Sequence, residues 1–366
     1  MTMTVTSRLA AVRERMGETG VDLVALGPGA HMHWLLGFHP HLDERPCLLL
    51  IGPEREAFLM PVLNAEGSRT ETDIAFHTWS DDQGPDKALA DALASIGAGA
   101  AVQVVVDETM RSDSALLVLG ALPGARHAFA AETVGWLRMR KTNDEYAALK
   151  MNAGINDRAM QKAFAAVRPG MSELDLADVI RSHFLSGGAK PEFAIVGSGP
   201  NGAFPHHQTG ERAIAPGDAI VVDIGGRKGG FPSDMTRMIV VGQAPDGYRQ
   251  VHDIVERAVQ AALGAARPGV KARDVDAAAR GVIDEAGYGD YFVHRTGHGL
   301  GIEVHEPPYI TATSETVLEE GMVFSIEPGI YLPGRFGIRL EDIVILRADG
   351  PEILSELPRT LFVAVA

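Results

Sequence analysis

The 366-residue sequence has one cysteine, Cys47, and no run of 18 consecutive apolar residues. A single thiol can close no intramolecular disulfide and build no thiolate metal site. A reducing compartment is therefore expected, and any metal must be held by oxygen and nitrogen. The lack of long apolar runs excludes a membrane-spanning helix, and Met1 to Met16 does not read as a signal peptide, so a cytoplasmic protein is the default expectation. Basic residues are in deficit: 33 Lys and Arg stand against 48 Asp and Glu, a formal net charge of −15. Such a chain repels phosphate backbones, which argues against nucleic acid as its partner; solubility alone accounts for the charge. Familiar catalytic signatures are missing too. There is no HExxH and no GxSxG, and Cys47 has no obvious catalytic surroundings. Gly197 to Gly202 spells GxGxxG, but with Pro200 inside it and no helical pattern after it.

What remains is the profile of a soluble globular protein, 46% hydrophobic and 22% charged, long enough for one large domain or two ordinary ones. A short amphipathic helix is predicted over residues 5–16 and an Ala/Leu-rich helix over Asp86–Ile96. Val21–Leu26, Pro46–Ile51, Ala57–Met60 and Val102–Val106 read as buried strands bounded by Gly, Pro and Asp. This mixture predicts a compact α/β domain, with a boundary near residues 132–141 and hence domains 1–135 and 136–366. A long amphipathic helix then runs from Asp144 to Val167, opened by the cap-like Asn143-Asp144-Glu145 and stopped by Pro169-Gly170.

The second part repeats itself. Arg168-Pro169-Gly170-Met171 and Arg267-Pro268-Gly269-Val270 each follow an Ala-rich helix, Ala153–Ala166 and Ala258–Ala266, and each opens another helix. Pro216-Gly217-Asp218 leads into Ala219–Val222 and Asp223, while Glu320-Gly321-Met322 leads into Val323–Ile326 and Glu327. Two helix–helix–strand units are thus expected, related by a pseudo-twofold that brings equivalent carboxylates together at a shared sheet centre.

Asp223 lies in an otherwise apolar strand, and Asp234 opens the next, with Gly225-Gly226 and Gly229-Gly230 read as the hairpin loop between them. Glu327 and Glu341 repeat the theme in the second copy. For any one of these acids, an ion pair with Arg237 or Arg339 would explain its place in a strand; for four together the need for divalent cations is stronger. His294, His298 and His305 follow in a glycine-rich stretch. Any one could be structural, but the glycines around His298 permit the close backbone approach that a metal loop needs. Four carboxylates and one nitrogen make a hard site suited to manganese or cobalt. Two ions bridged by carboxylates can hold a hydroxide nucleophile and polarise a scissile carbonyl.

The motifs Val222-Asp223-Ile224-Gly225, Ser233-Asp234-Met235-Thr236-Arg237, Thr296-Gly297-His298-Gly299-Leu300-Gly301, Ser325-Ile326-Glu327-Pro328-Gly329 and Arg339-Leu340-Glu341-Asp342 occur in that order. Over residues 141–366 the chain resembles the pita-bread metallopeptidases: methionine aminopeptidase, aminopeptidase P and prolidase. The resemblance implies an α/β N-terminal domain followed by an α+β pita-bread (creatinase/aminopeptidase) domain with an internal pseudo-twofold. It implies that Asp223 binds one metal, that His298 and Glu327 bind the other, and that Asp234 and Glu341 bridge them. Glu327 would also take a proton from the bridging water, and His305 would stabilise the developing charge at the scissile amide. His206 is implied as a substrate contact, His294 and Tyr331 as pocket residues, and Arg339 as the arginine that orders the ligands or, alternatively, pairs with an acid of the other domain. His207 is expected to be a solvent-facing neighbour. The implied cofactor is a pair of divalent ions, manganese first and cobalt or zinc as alternatives; the implied substrate is a short peptide; and the implied assembly is a homodimer without nucleic-acid or membrane partners.

The stretch from Ser198 to His206 is most similar to bacterial Xaa-Pro dipeptidases. Aminopeptidase P, a peptidase without strict proline preference, and a lyase or small-amide hydrolase on the same fold are the alternatives. Eukaryotic-type prolidases grip the substrate carboxylate with an arginine late in the chain, yet residues 306–326 contain no Arg or Lys. Arg45, reaching over from a partner subunit, is the expected substitute; a surface ion pair with Asp43 or Glu44 is the other reading.

Overall fold

The structure, a computed structural model, describes residues 4–366; the first three residues of the expected first domain lie outside the described residues. The chain divides into two compact units, one running to Arg138 and the other beginning at Met139. In the first unit, β1 (Leu23–Leu26), β2 (Leu48–Ile51), β3 (Glu56–Pro61), β4 (Ala75–Trp79), β5 (Gln103–Val106) and β6 (Arg126–Phe129) form one mixed sheet in the order β4-β3-β2-β1-β5-β6. The helices are α1 (Val5–Thr19), α2 (Ala30–Leu36), α3 (Val62–Ser68), α4 (Asp86–Ser95), α5 (Ser112–Ala121) and α6 (Val134–Arg138). The all-apolar strands β1 and β2 are fully buried, and Leu89 and Leu93 of α4 pack against their sheet. Strands β4 and β6 escaped the sequence reading because neither is an apolar run: β6 is exposed at every position and lies at the sheet edge.

The second unit opens with α7 (Asn143–Ala166) and α8 (Glu173–Ser186). The cap of α7 is Thr142, one residue before the expected position, because its hydroxyl and the Glu145 carboxylate close a capping box. β7 (Lys190–Ser198), β8 (Ala219–Lys228), β9 (Phe231–Pro232) and β10 (Met235–Val241) follow. After α9 (Tyr248–Ala265) and α10 (Ala272–Glu285) come β11 (Gly297–Gly299), β12 (Glu306–Ile310), β13 (Val323–Ile326), β14 (Gly329–Leu332), β15 (Phe336–Arg339), β16 (Asp342–Arg347), β17 (Gly350–Ile353) and β18 (Phe362–Ala364). Two sheets result, β18-β10-β8-β7 with β9 on β8, and β12-β11-β13-β16-β17; β14 and β15 form a separate hairpin.

The repeat is visible in the backbone. Gly170 N donates to Ile214 O and Gly269 N to Leu318 O, both at 2.8 Å; Ile214 N and Leu318 N return bonds to Met171 O and Val270 O, again at 2.8 Å. Gly170 and Gly269 take φ of 86° and 89°, and Gly217 and Gly321 take 88° and 85°, a left-handed turn that only glycine adopts cheaply. Each copy thus leads its helix pair into its strand by the same turn, which places Asp223 and Glu327 at matching points of the two sheets. Gly225 and Gly226 do not form the expected loop. They lie inside β8, where a Cβ would come within 2.4 Å of the Phe193 and Phe184 rings, and the turn is made by Gly229 and Gly230.

Candidate metal centre

Asp223 is the one acid of the four that lies inside a strand, paired in register with Thr236 of β10. Asp234 immediately precedes β10, Glu327 follows β13 and Glu341 sits between β15 and β16, so these three acids occupy strand ends. Asp223, Asp234 and Glu341 offer oxygens within one cluster, and His298, Glu327 and Glu341 within another, so Glu341 is common to both. All five residues line one cavity of about 540 Å³, together with His206, His294, His305, Arg295 and Arg339.

The histidine loop is built by close approach. A Cβ at Gly297 would stand 1.9 Å from Ser325 O, and one at Gly299 would stand 2.3 Å from Pro307 O, so β11 can lie this close to its neighbours only as glycine–histidine–glycine. His298 N donates to Ser325 Oγ at 2.9 Å, and that hydroxyl donates to Glu327 Oε1 at 2.9 Å. His298 Nδ1 lies 3.1 Å from Gly299 O, which can only accept, so Nδ1 carries a proton. The other nitrogen, Nε2, faces Glu327 Oε1 at 3.1 Å and Asp234 Oδ2 at 3.7 Å, a position for a proton or a cation.

Arg339 organises the opposite wall. Its Nη2 donates to Asp223 Oδ2 at 2.5 Å, Nε to Thr236 Oγ1 at 3.0 Å and Nη1 to Tyr331 Oη at 2.8 Å. Thr236 Oγ1 in turn donates to Glu341 Oε2 at 2.7 Å. Tyr331 Oη meets His294 Nε2 at 2.8 Å, and His294 Nδ1 donates to Arg295 O at 2.7 Å. The expected alternative, an ion pair between Arg339 and an acid of the other domain, is overturned: its carboxylate partner is Asp223. Arg237 is not a counter-ion to the four acids either, because its guanidinium is taken by Asp342 and by the carbonyls of Glu341, Leu357 and Pro358.

The four carboxylates therefore share one guanidinium. Burial, and then the charges of Glu341, Asp223 and Glu327, push the Asp234 carboxyl well above its ordinary range; burial and the charges of Glu327 and Asp223 do the same to Glu341. Asp223 Oδ1 is buried with no hydrogen-bond partner. A buried lone acceptor, mutually repelling acids and an imidazole nitrogen turned toward them are the donor set of a divalent-cation site, so the residues fit the implied metals. Loss of solvation on the cavity side, then the charges of His298 and Arg295, push the His305 ring down to about 4; its ring centroid is 4.0 Å from that of His298.

His206 reaches the cavity from an exposed position. His207 is not the solvent-facing residue expected: its Nε2 lies 2.8 Å from Glu173, which is fully buried and also accepts from Ser198 N, Ser198 Oγ and Asn201. Glu173 thereby pins the segment that carries His206. Arg45 belongs to the N-terminal unit, where its fork closes on Asp81 with two bonds of 2.9 Å and on Glu44 with one of 3.0 Å. The sequence reading missed Thr236, Ser325 and Arg295; Thr236 and Ser325 stand within the motifs, each a hydroxyl two residues from an acid, Asp234 and Glu327, which was the available signal, whereas Arg295 lies one residue before the histidine motif.

A model described as metallopeptidase family M24 matches residues 147–348, and one described as the creatinase/prolidase N-terminal domain matches residues 8–140. The chain is 38% identical over 363 residues to a probable dipeptidase PepE of Mycobacterium tuberculosis, covering 97% of this chain and 96% of that one. Dipeptidase PepE of Mycobacterium ulcerans superposes with a TM-score of 0.94 at 36% identity, covering 99% of this chain and 98% of that one. A prolidase from Thermococcus sibiricus superposes with a TM-score of 0.90 at 35% identity, covering 99% and 100%.

Proposed function

We propose that this chain, which belongs to metallopeptidase family M24, hydrolyses the bond before proline in Xaa-Pro dipeptides with two divalent cations held by Asp223, Asp234, His298, Glu327 and Glu341. The observation that carries this reading is the desolvated acid cluster, four carboxylates against one guanidinium with Asp223 Oδ1 left unpartnered. Oxygen donors with a single nitrogen favour manganese, with cobalt or zinc as substitutes in vitro. The names of similar proteins, dipeptidase and prolidase, support the choice of a dipeptide.

Asp223 would serve one cation and His298 with Glu327 the other, with Asp234 and Glu341 between them. Bound there, the ions supply water activation at neutral pH and polarisation of the scissile carbonyl. Burial opposes ionisation of Glu327, but the Ser325 hydroxyl donates to Oε1 and a positive charge at His298 Nε2, proton or cation, would keep its carboxyl ionised and able to take the proton that becomes the leaving amine's. His305, neutral at pH 7, donates to the carbonyl oxygen as charge develops there, and His206 contacts the substrate from across the cavity. Tyr331 is pushed up to about 12 by burial and stays a phenol, which keeps His294 fixed against the wall. Arg339 holds Asp223 and, through Thr236, Glu341 in the orientation the cations need.

The test is a substrate panel on protein stripped with chelator and restored with manganese, cobalt or zinc. Cleavage of Xaa-Pro dipeptides that depends on added metal and exceeds that of Xaa-Pro-Yaa tripeptides and proline-free peptides is expected. A preference for tripeptides would move the chain to aminopeptidase P, and cleavage by the stripped protein would refute the metal site.

A further inference from the structure

Outside the cavity, on α10, a fully buried carboxylate grips the stretch that leads into His298. Asp276 forms an ion pair with Arg280 one turn later, Nε donating to Oδ2 at 3.0 Å and Nη2 to Oδ1 at 3.1 Å. Its Oδ1 also accepts from Thr296 N at 3.1 Å and from Thr296 Oγ1 at 2.8 Å. Arg280 donates in turn to Phe292 O at 3.1 Å and to His294 O at 3.0 Å, with its Cζ 4.2 Å above the Phe292 ring. One ion pair thus fixes residues 292, 294 and 296, and two residues later the chain presents His298. Thr296 O accepts from Glu327 N at 2.8 Å, so the same anchor reaches the other ligand assigned to that cation.

The histidine strand needs an anchor of this kind. β11 is three residues long, and Gly297 and Gly299 carry no side chain that could pack, so its position is imposed from the residue before it. Asp223 stands differently: it lies within the ten-residue β8, paired to β7 on one side and β10 on the other. The first copy accordingly lacks the device. In the register that aligns Arg168 with Arg267, Asp276 corresponds to Ala177, and Arg280 to Arg181, whose partner is its own helix neighbour Asp178. We infer that Asp276 is a positioning residue for one cation of the pair, the one assigned to His298 and Glu327; this rests on the metal-site reading above. It acts through Thr296 and Arg280, so its loss weakens one of the two binding steps and spares the other, a signature that general destabilisation does not produce.

The experiment titrates manganese by calorimetry into the full chain, stripped with chelator, as wild type, Asp276→Asn, Thr296→Val and Leu176→Ala. Leu176 is a core residue of α8 that lines no part of the cavity, so Leu176→Ala is the control for lost stability, which urea unfolding measures for all four. Asp276→Asn is expected to weaken one manganese step by about 10–100-fold, with the other step, and both steps of Leu176→Ala, as in the wild type. At saturating manganese its kcat for Leu-Pro should fall by more than its KM rises, because Glu327 is displaced. Thr296→Val replaces the hydroxyl by a methyl and should shift the same step in the same direction by less; it decides the question if Asp276→Asn does not fold. Equal weakening of both steps, wild-type affinity in the folded variants, or the same shift in Leu176→Ala overturns the role of Asp276. A wild type that takes up fewer than two manganese ions overturns the metal-site reading instead.

Discussion

Replacing Thr236 by valine removes one hydroxyl and little volume, and the structure says what that hydroxyl does. It donates to Glu341 Oε2 at 2.7 Å and accepts from Arg339 Nε at 3.0 Å, so it joins a candidate ligand of both cations to the arginine that holds Asp223. A hydrogen bond to a charged group contributes about 1.5–3 kcal/mol, which is roughly ten- to a hundredfold in an equilibrium constant. Loss of an outer partner of a metal ligand costs about 10–100-fold in metal affinity, so two independent routes reach one magnitude. The manganese dissociation constant of Thr236→Val, measured by calorimetry on stripped protein, should rise by that factor. Turnover should recover at saturating manganese, because the ligand set itself is intact. A folded Thr236→Val protein with wild-type manganese affinity would refute the argument that these bonds hold the cluster in shape.

Ion removal should reshape the pH profile of stability. Burial and neighbouring charges raise the folded-state pKa values of Asp234 and Glu341, so the folded chain binds protons more tightly than the unfolded one there, and the stability this lends at low pH is lost as pH rises through the raised values. The Tm of chelator-treated protein should fall more as pH rises from acid toward neutral and above than that of manganese-loaded protein; equal profiles by calorimetry would contradict this. Lys141 and Glu306 form a buried ion pair at 2.7 Å beneath the loop that carries His305, and breaking it by Lys141→Met should cost about 3–5 kcal/mol in urea unfolding, with much of the loss recovered in Lys141→Met/Glu306→Leu. Burial pushes the Cys47 thiol up to about 12, so a thiol-specific reagent should label one site in denaturant and none in the native protein.

The metal-binding candidates were legible because each contradicts its own surroundings: an aspartate after Ile220-Val221-Val222 and a histidine between two glycines have no place in a sheet for packing reasons. The repeat was legible for a related reason, since its glycine turns admit no substitute at φ near 85°. Strand β6, exposed along its whole length, left no period to detect, and Gly225-Gly226 were misread because their close contacts are with Phe193 and Phe184, far away in sequence. His207 was misjudged for the same reason: its partner Glu173 lies 34 residues earlier, on the first turn of α8, and no local pattern joins them.

The duplicated architecture sets an order of events during synthesis. The first copy ends with two aspartates, and the imidazole and both glutamates come only with the second. On the proposed ligand set, a half-made chain would present only a pair of acids to a dication, and affinity would arise when the second copy docks. Loading would then follow folding, and the ions would rivet together two halves that the ribosome delivers separately.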